Sequence, residues 1–121
     1  VILKSNMVLA GSESSEAPSP KEDVAAATLE VFNETVPHDL GGIVFLSGGQ
    51  EPVQAAENLN EMAKVAKPWP LTFSYSRALQ EPVLDAWQGS DANVDEAQKI
   101  FAKRCALASK ARMGEYSSEL E

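Results

Sequence analysis

The sequence contains one cysteine, Cys105, and one histidine, His38. A single cysteine excludes an internal disulfide and makes a reducing compartment, the cytoplasm, the simpler expectation. A single histidine excludes a histidine-rich metal centre. No apolar run approaches the ~20 residues of a membrane-spanning helix. The short run Val1-Ile2-Leu3 is interrupted by Lys4, unlike the apolar stretch of a signal peptide. Basic residues are scarce as well: ten Lys and Arg stand against eighteen Asp and Glu, for a net charge of −8. That balance argues against nucleic acid, whose phosphates need clustered cations. It leaves room for a small phosphorylated ligand, because two or three local donors can override the total.

The 121 residues are 44% apolar and 23% charged, which suits one globular domain. The chain does not open on methionine and begins inside what reads as a strand, so the N-terminus is expected to be cut or the sequence to be partial. The stretch that organises the rest is Gly41-Gly42-Ile43-Val44-Phe45-Leu46-Ser47-Gly48-Gly49-Gln50. Four consecutive apolar residues after a glycine pair are too few for a helix and read as a strand buried on both faces, as in a parallel sheet. Ser47-Gly48-Gly49 then leads directly into a helical pattern. Glycines let the backbone approach a ligand, and the N–H groups at a helix start favour an anion. A tight strand-to-helix turn that binds nothing has the same sequence.

Around this stretch the chain alternates. Val1-Ile2-Leu3 is a strand ending at Lys4, which is either a strand-end amine or a surface lysine. Met7 to Pro20 is a loop. Ser19-Pro20-Lys21-Glu22 reads as a capping box with proline in the first turn, followed by an apolar stripe of Val24, Ala27, Thr28, Val31 and Phe32. Pro37 closes that helix, and His38 and Asp39 are loop residues without chemistry. Glu51-Pro52 opens a second helix with Val53, Ala56, Leu59, Ala63 and Ala66 inward. Leu71 to Tyr75 alternates apolar and polar, which is a strand period. A short helix then runs to Gly89. Asp91 is positioned to cap a last helix with Val94, Ala97, Phe101, Cys105 and Ala108 buried, so Cys105 reads as a structural thiol. The tail from Gly114 (114–121) is polar and expected to be loose.

Strand, helix, strand, helix, strand, helix, helix implies βαβ units and a parallel α/β sheet. Three strands fit the last part of a (β/α)8 barrel or a small doubly wound sheet. In either, ligands bind at the C-terminal strand ends, where Lys4, Ser47-Gly48-Gly49 and Ser76-Arg77 lie. Backbone donors and arginine suit a phosphate. A desolvated lysine beside another cation becomes a nucleophilic amine, able to form a Schiff base whose iminium stabilises a neighbouring carbanion. Carbon–carbon cleavage next to a carbonyl needs that.

Val1-Ile2-Leu3-Lys4-Ser5-Asn6-Met7-Val8, Phe45-Leu46-Ser47-Gly48-Gly49-Gln50 and Leu71-Thr72-Phe73-Ser74-Tyr75-Ser76-Arg77-Ala78-Leu79-Gln80, in that order, resemble class I fructose-bisphosphate aldolase, and most closely its bacterial branch. The resemblance implies the C-terminal part of a (β/α)8 barrel, strands 6 to 8 with their helices, over residues 1–121. It implies reversible cleavage of fructose 1,6-bisphosphate to dihydroxyacetone phosphate and glyceraldehyde 3-phosphate, in glycolysis and gluconeogenesis, without a metal or other cofactor. By the same resemblance Lys4 is the Schiff-base lysine, Ser47, Gly48 and Gly49 form the phosphate turn, and Ser76 and Arg77 complete the phosphate site. The parent protein would be a homo-oligomer, commonly a tetramer in the family. Two positions depart from the family pattern, where proline usually stands at Ser5 and glycine at Ser76; a positive φ at Ser76 would strain a serine. The family's acid/base residues belong to the first five strands, so the 121-residue chain by itself is expected to be inactive and marginally folded. A non-catalytic phosphosugar-binding α/β fragment is the other reading.

Overall fold

A computed structural model describes residues 1–121. Strand β1 (Ile2–Ser5) is followed by α1 (Lys21–Thr35), β2 (Gly42–Phe45), α2 (Pro52–Ala63), β3 (Leu71–Phe73), α3 (Arg77–Trp87) and α4 (Val94–Arg112). The strands form one parallel sheet in the order β1-β2-β3. The alternation read from the sequence is therefore present.

Register sorts the strand residues into two faces, because side chains alternate along a strand and in-register neighbours share a face. Leu3, Ile43 and Leu71 form one cross-strand row, and Phe45 and Phe73 belong to the same face. Ile43 and Phe45 are fully buried there. Phe45 stacks on Phe32 of α1, with ring centroids 5.8 Å apart and planes 6° from parallel. Trp69 meets Phe32 edge-on and donates its indole N–H to Pro37 O at 2.8 Å, which seats the turn before β3. Leu59 and Met62 of α2 complete this core.

The opposite face carries Lys4, Val44 and Thr72 in one row. Val44 and Thr72 are half-buried, and Ile2 and Lys4 are exposed. The expectation that β2 is buried on both faces thus holds for the helix-covered face only.

Several local expectations are corrected. The capping box at Ser19 does not form: α1 begins at Lys21 without a side-chain cap. The Ser19 hydroxyl instead accepts the Ala10 N–H at 3.1 Å, and Thr28, fully buried in α1, accepts the Val8 N–H at 2.9 Å. Both bonds fold the loop after β1 back onto the helix. The buried stripe of α1 uses Ala25 and Leu29 rather than Ala27 and Val31. A comparable pairing stands at α2, where the Glu51 N–H donates to Gln54 Oε1 at 3.3 Å. Val53 is exposed, while Asn58 and Asn60 are buried. Ser90, not Asp91, caps the short turn before α4 by accepting the Ala92 N–H. On α4, Phe101 is exposed and Cys105 half-buried, and Arg104 and Leu107 are buried in their place.

The segment 114–121, expected to be loose, is docked. Tyr116 is 6% exposed, and its N–H donates to Asn60 Oδ1 at 3.0 Å. The Glu121 carboxylate receives the Tyr116 hydroxyl and pairs with Arg104. No helix is long and apolar enough to cross a membrane.

Candidate functional site at the C-terminal strand edge

The C-terminal ends of the three strands lie side by side, because the strands are parallel and in register. Backbone bonds carry the register past the strands themselves: the Leu46 N–H donates to Ser5 O at 3.0 Å and the Ser74 N–H to Phe45 O at 2.8 Å. The polar residues that follow each strand are thereby held along one edge.

From β1, Lys4 projects on the face away from α1 and extends across the sheet. Its Nζ donates to Ser74 Oγ at 3.2 Å. The side chain is exposed, so the desolvated lysine expected from the sequence is not found within these 121 residues. Its direction is along the site edge, toward the segment that carries Ser76 and Arg77.

After β2 the chain turns at Ser47-Gly48-Gly49, closed by the Gln50 N–H donating to Ser47 O at 3.1 Å. Gly49 has φ +79°, a conformation that a side chain would strain. Asn6 Nδ2 donates to Gly48 O at 3.3 Å and fastens this turn to the end of β1. The N–H groups of Gly48 and Gly49 have no acceptor within the protein. Ser47 is 4% exposed, and its hydroxyl accepts the Ala78 N–H at 3.3 Å.

After β3, Tyr75 is buried and donates its hydroxyl to Ala55 O at 2.9 Å. Burial pushes its pKa well above the usual tyrosine range, so it remains a neutral donor. This anchor fixes the backbone entering α3. Ser76 precedes the helix with φ −102°, a conformation open to any residue, so the strain considered for a serine at this position is absent. The Ser76 hydroxyl pairs with Gln80 Oε1 at 3.3 Å. Arg77 opens α3, and its guanidinium lies against the glycine turn: a Cβ built on Gly48 would stand 3.2 Å from Arg77 Nη2.

Two free backbone N–H groups, a guanidinium and a helix start are groups that elementary electrostatics suits to an anion. Beside them opens a cavity of about 520 Å³ whose walls include Ser47, Gly49, Gln50 and Arg77. The loop after β1 closes its far side through Leu9, Ala10 and Ser19, and Glu51 and Glu81 bring carboxylates to its wall. Lys4, Gly48 and Ser76 do not line this cavity. Of the residues singled out in the sequence, Ser47, Gly48, Gly49 and Arg77 are thus in one cluster, Ser76 flanks it, and Lys4 reaches the same edge through Ser74.

Asn6 and Ser74 were missed by the sequence reading. Both are polar residues just past a strand end, the same rule that selected Lys4, so position alone could have flagged them. Their partners, 42 and 70 residues away, could not be read from spacing.

The family model for class I fructose-bisphosphate aldolase matches residues 1–121. The cytosolic fructose-bisphosphate aldolase 4 of Arabidopsis thaliana is 45% identical over 122 residues, covering 99% of this chain and 31% of that protein. The non-muscle fructose-bisphosphate aldolase of Lethenteron camtschaticum is 48% identical over 117 residues, covering 95% of this chain and 32% of that protein. A solved fructose-bisphosphate aldolase of Plasmodium falciparum, in complex with TRAP and a small-molecule inhibitor, superposes with a TM-score of 0.90 at 45% identity. It covers 97% of this chain and 34% of that structure. The chain therefore spans about a third of the length of the relatives it matches. These relatives, from a plant, a lamprey and a protozoan, do not support the bacterial branch in particular. With the whole chain inside the family model and this likeness in sequence and fold, the chain belongs to the class I fructose-bisphosphate aldolase family.

Proposed function

We propose that residues 1–121 are the C-terminal part of a (β/α)8 barrel, with β1, β2 and β3 as its sixth to eighth strands. We infer that the complete protein reversibly cleaves fructose 1,6-bisphosphate to dihydroxyacetone phosphate and glyceraldehyde 3-phosphate through a Schiff base on Lys4. The face opposite α1 supports the barrel reading: Ile2, Lys4, Val44 and Thr72 are exposed or half-buried there, as an inner barrel face is when its remaining strands are not beside it.

The observation that carries the chemistry is the Lys4 Nζ to Ser74 Oγ contact. It holds an amine from the first of the three strands at the edge where the glycine turn and Arg77 hold an anion. The neutral amine adds to the ketone carbon and water leaves; a base outside this segment then removes the proton of the β-hydroxyl, the bond between the α- and β-carbons breaks to release an aldehyde, and the iminium takes up the electron pair as an enamine. The N–H groups of Gly48 and Gly49, Arg77, and the adjoining Ser47 and Ser76 receive a substrate phosphate. No residue of this segment is assigned the role of general base.

In the complete protein, Lys4→Met abolishes cleavage of fructose 1,6-bisphosphate and keeps thermal stabilisation by inorganic phosphate. Retained cleavage would overturn the reading. For the 121 residues alone, a phosphosugar-binding fragment without catalysis is favoured by the cavity, which gathers Ser47, Gly49 and Arg77 but leaves Lys4 outside. Phosphate-dependent stabilisation without turnover in the unaltered complete protein would extend that second reading to the whole.

The complete protein is further proposed to be a homo-oligomer, a tetramer as is common in the family, serving glycolysis and gluconeogenesis in the cytoplasm. The cytosolic Arabidopsis relative supports that location, although a chloroplastic one also matches.

A further inference from the structure

Gln50 and Asn58 form a polar pair where the fold is otherwise apolar. Asn58 lies in α2 and is fully buried, as are Ala55 and Met62, its neighbours one turn away on the same helix face. Its Nδ2 donates to Gln50 Oε1 at 2.8 Å. The other halves of the two amides, Gln50 Nε2 and Asn58 Oδ1, are buried without a partner in the protein. A buried polar group left unpaired loses its hydration and regains nothing, and apolar side chains of similar shape would fill the same space at less cost. Stability therefore does not explain the pair. What it connects is the glycine turn.

Gln50 ends that turn. Its N–H closes Ser47-Gly48-Gly49 by donating to Ser47 O at 3.1 Å, directly after Gly49 at φ +79°. Consecutive glycines have wide backbone freedom, so their N–H groups keep one direction only if the turn is held from outside. Asn6 holds it at Gly48 O, from the end of β1, and Ser47 is tied to the Ala78 N–H of α3. The Gln50 side chain supplies the third tie, to a residue about two turns into α2. We propose that Gln50 and Asn58 are positioning residues for the glycine turn, a role that rests on the reading of this turn as a phosphate site. The hydrogen bond between their side-chain amides keeps the Gly48 and Gly49 N–H groups aimed at the phosphate. Neither side chain has to touch the substrate. The unpaired atoms weaken the core, and the bonded atoms order the turn.

The test is a double-mutant cycle in the complete protein: Gln50→Met, Asn58→Leu and the two together, read as melting temperature and as KM and kcat for fructose 1,6-bisphosphate. Each single variant strands the partner amide and melts earlier than the parent. The double variant removes every polar atom of the pair and melts at the parent temperature or above it. Its KM nevertheless stays raised about five-fold or more, with kcat within about two-fold of the parent, because the phosphate turn is loosened and Lys4 is not. A pair that served folding alone would restore KM together with the melting temperature. A double variant with the parental KM, one that melts no higher than the single variants, or a loss confined to kcat would each overturn the role. Gly48→Ala separates the two ways of failing. If it raises KM and the double variant does not, the turn binds phosphate without Gln50. If it leaves KM unaltered, the phosphate reading fails and this role with it.

Discussion

Ala78 donates its backbone N–H to Ser47 Oγ at 3.3 Å, so the first turn of α3 is tied to the end of β2. Ser47 therefore has a structural task beside the one proposed for it in phosphate binding. In Ser47→Ala the buried Ala78 N–H loses its acceptor, which costs about 1–3 kcal/mol for an unpaired buried donor. Urea unfolding of the complete protein should show a lower midpoint, and phosphate should stabilise the variant less than the parent. An unchanged midpoint would show that the bond contributes nothing to the link between the two elements.

Gly48 tests the proposed anion site without disturbing the core. A Cβ there would stand 3.1 Å from Leu46 Cδ1 and 3.2 Å from Arg77 Nη2. Both are ends of flexible side chains, so Gly48→Ala should fold and should displace the guanidinium from the turn. The expected result is a KM for fructose 1,6-bisphosphate raised about ten-fold or more, since a charge-assisted hydrogen bond is worth about 1.5–3 kcal/mol. The melting temperature should move little. Unaltered KM would place the phosphate elsewhere.

The element order was legible because each strand and helix carries its own period, and the site edge followed from it: Lys4, Ser47 and Arg77 each lie at or shortly after the C-terminal end of a strand. What was not legible depends on partners distant in sequence. The stripe of α1 could not be assigned, because Ala25 and Leu29 continue an apolar helix face as well as Ala27 and Val31 do. Arg104 reads as a surface residue until Glu121 is seen beside it, and Asn60 is tolerated in the core because the Tyr116 N–H meets it. The tail looked loose because seven of its eight residues are not aromatic; Tyr116 and the pairing of Glu121 with Arg104 dock it. Ser74 escaped notice for the same reason, since its meaning lies in a lysine 70 residues earlier.

The docking of 114–121 should depend on pH. Burial opposes the charge on Glu121, but hydrogen bonds from Tyr116 and Arg104, with the fields of Arg104 and Lys103, outweigh it and hold the carboxyl below its ordinary range. A carboxylate with a depressed folded pKa adds stability above its unfolded pKa, about 4.3 for glutamate, and that contribution is lost as pH falls through the folded value. The tail should stay docked at neutral pH and open in acid. Amide exchange of Tyr116, corrected for its intrinsic pH dependence, should lose protection below about pH 4, in the range where glutamate protonates. Glu121→Gln should show reduced protection already at neutral pH. Protection unchanged in acid and in the variant would assign the docking to Tyr116 packing and not to the ion pair.

The 121-residue chain on its own should not turn over fructose 1,6-bisphosphate. Its sheet has two open edges, β1 and β3, its Lys4 is exposed, and the general base is proposed to lie on other strands. Purified, it should show no cleavage above background and a broad, early thermal transition. A rate near that of a complete aldolase would contradict the division of labour proposed here.

The most direct test of the account is the site of covalent capture. The complete protein is incubated with dihydroxyacetone phosphate, reduced with borohydride and digested, and the modified peptide is identified by mass spectrometry. The account predicts one reduced adduct, on the peptide containing Leu3-Lys4-Ser5, absent from Lys4→Met. An adduct on any other lysine, or none under conditions that inactivate the protein, would contradict it.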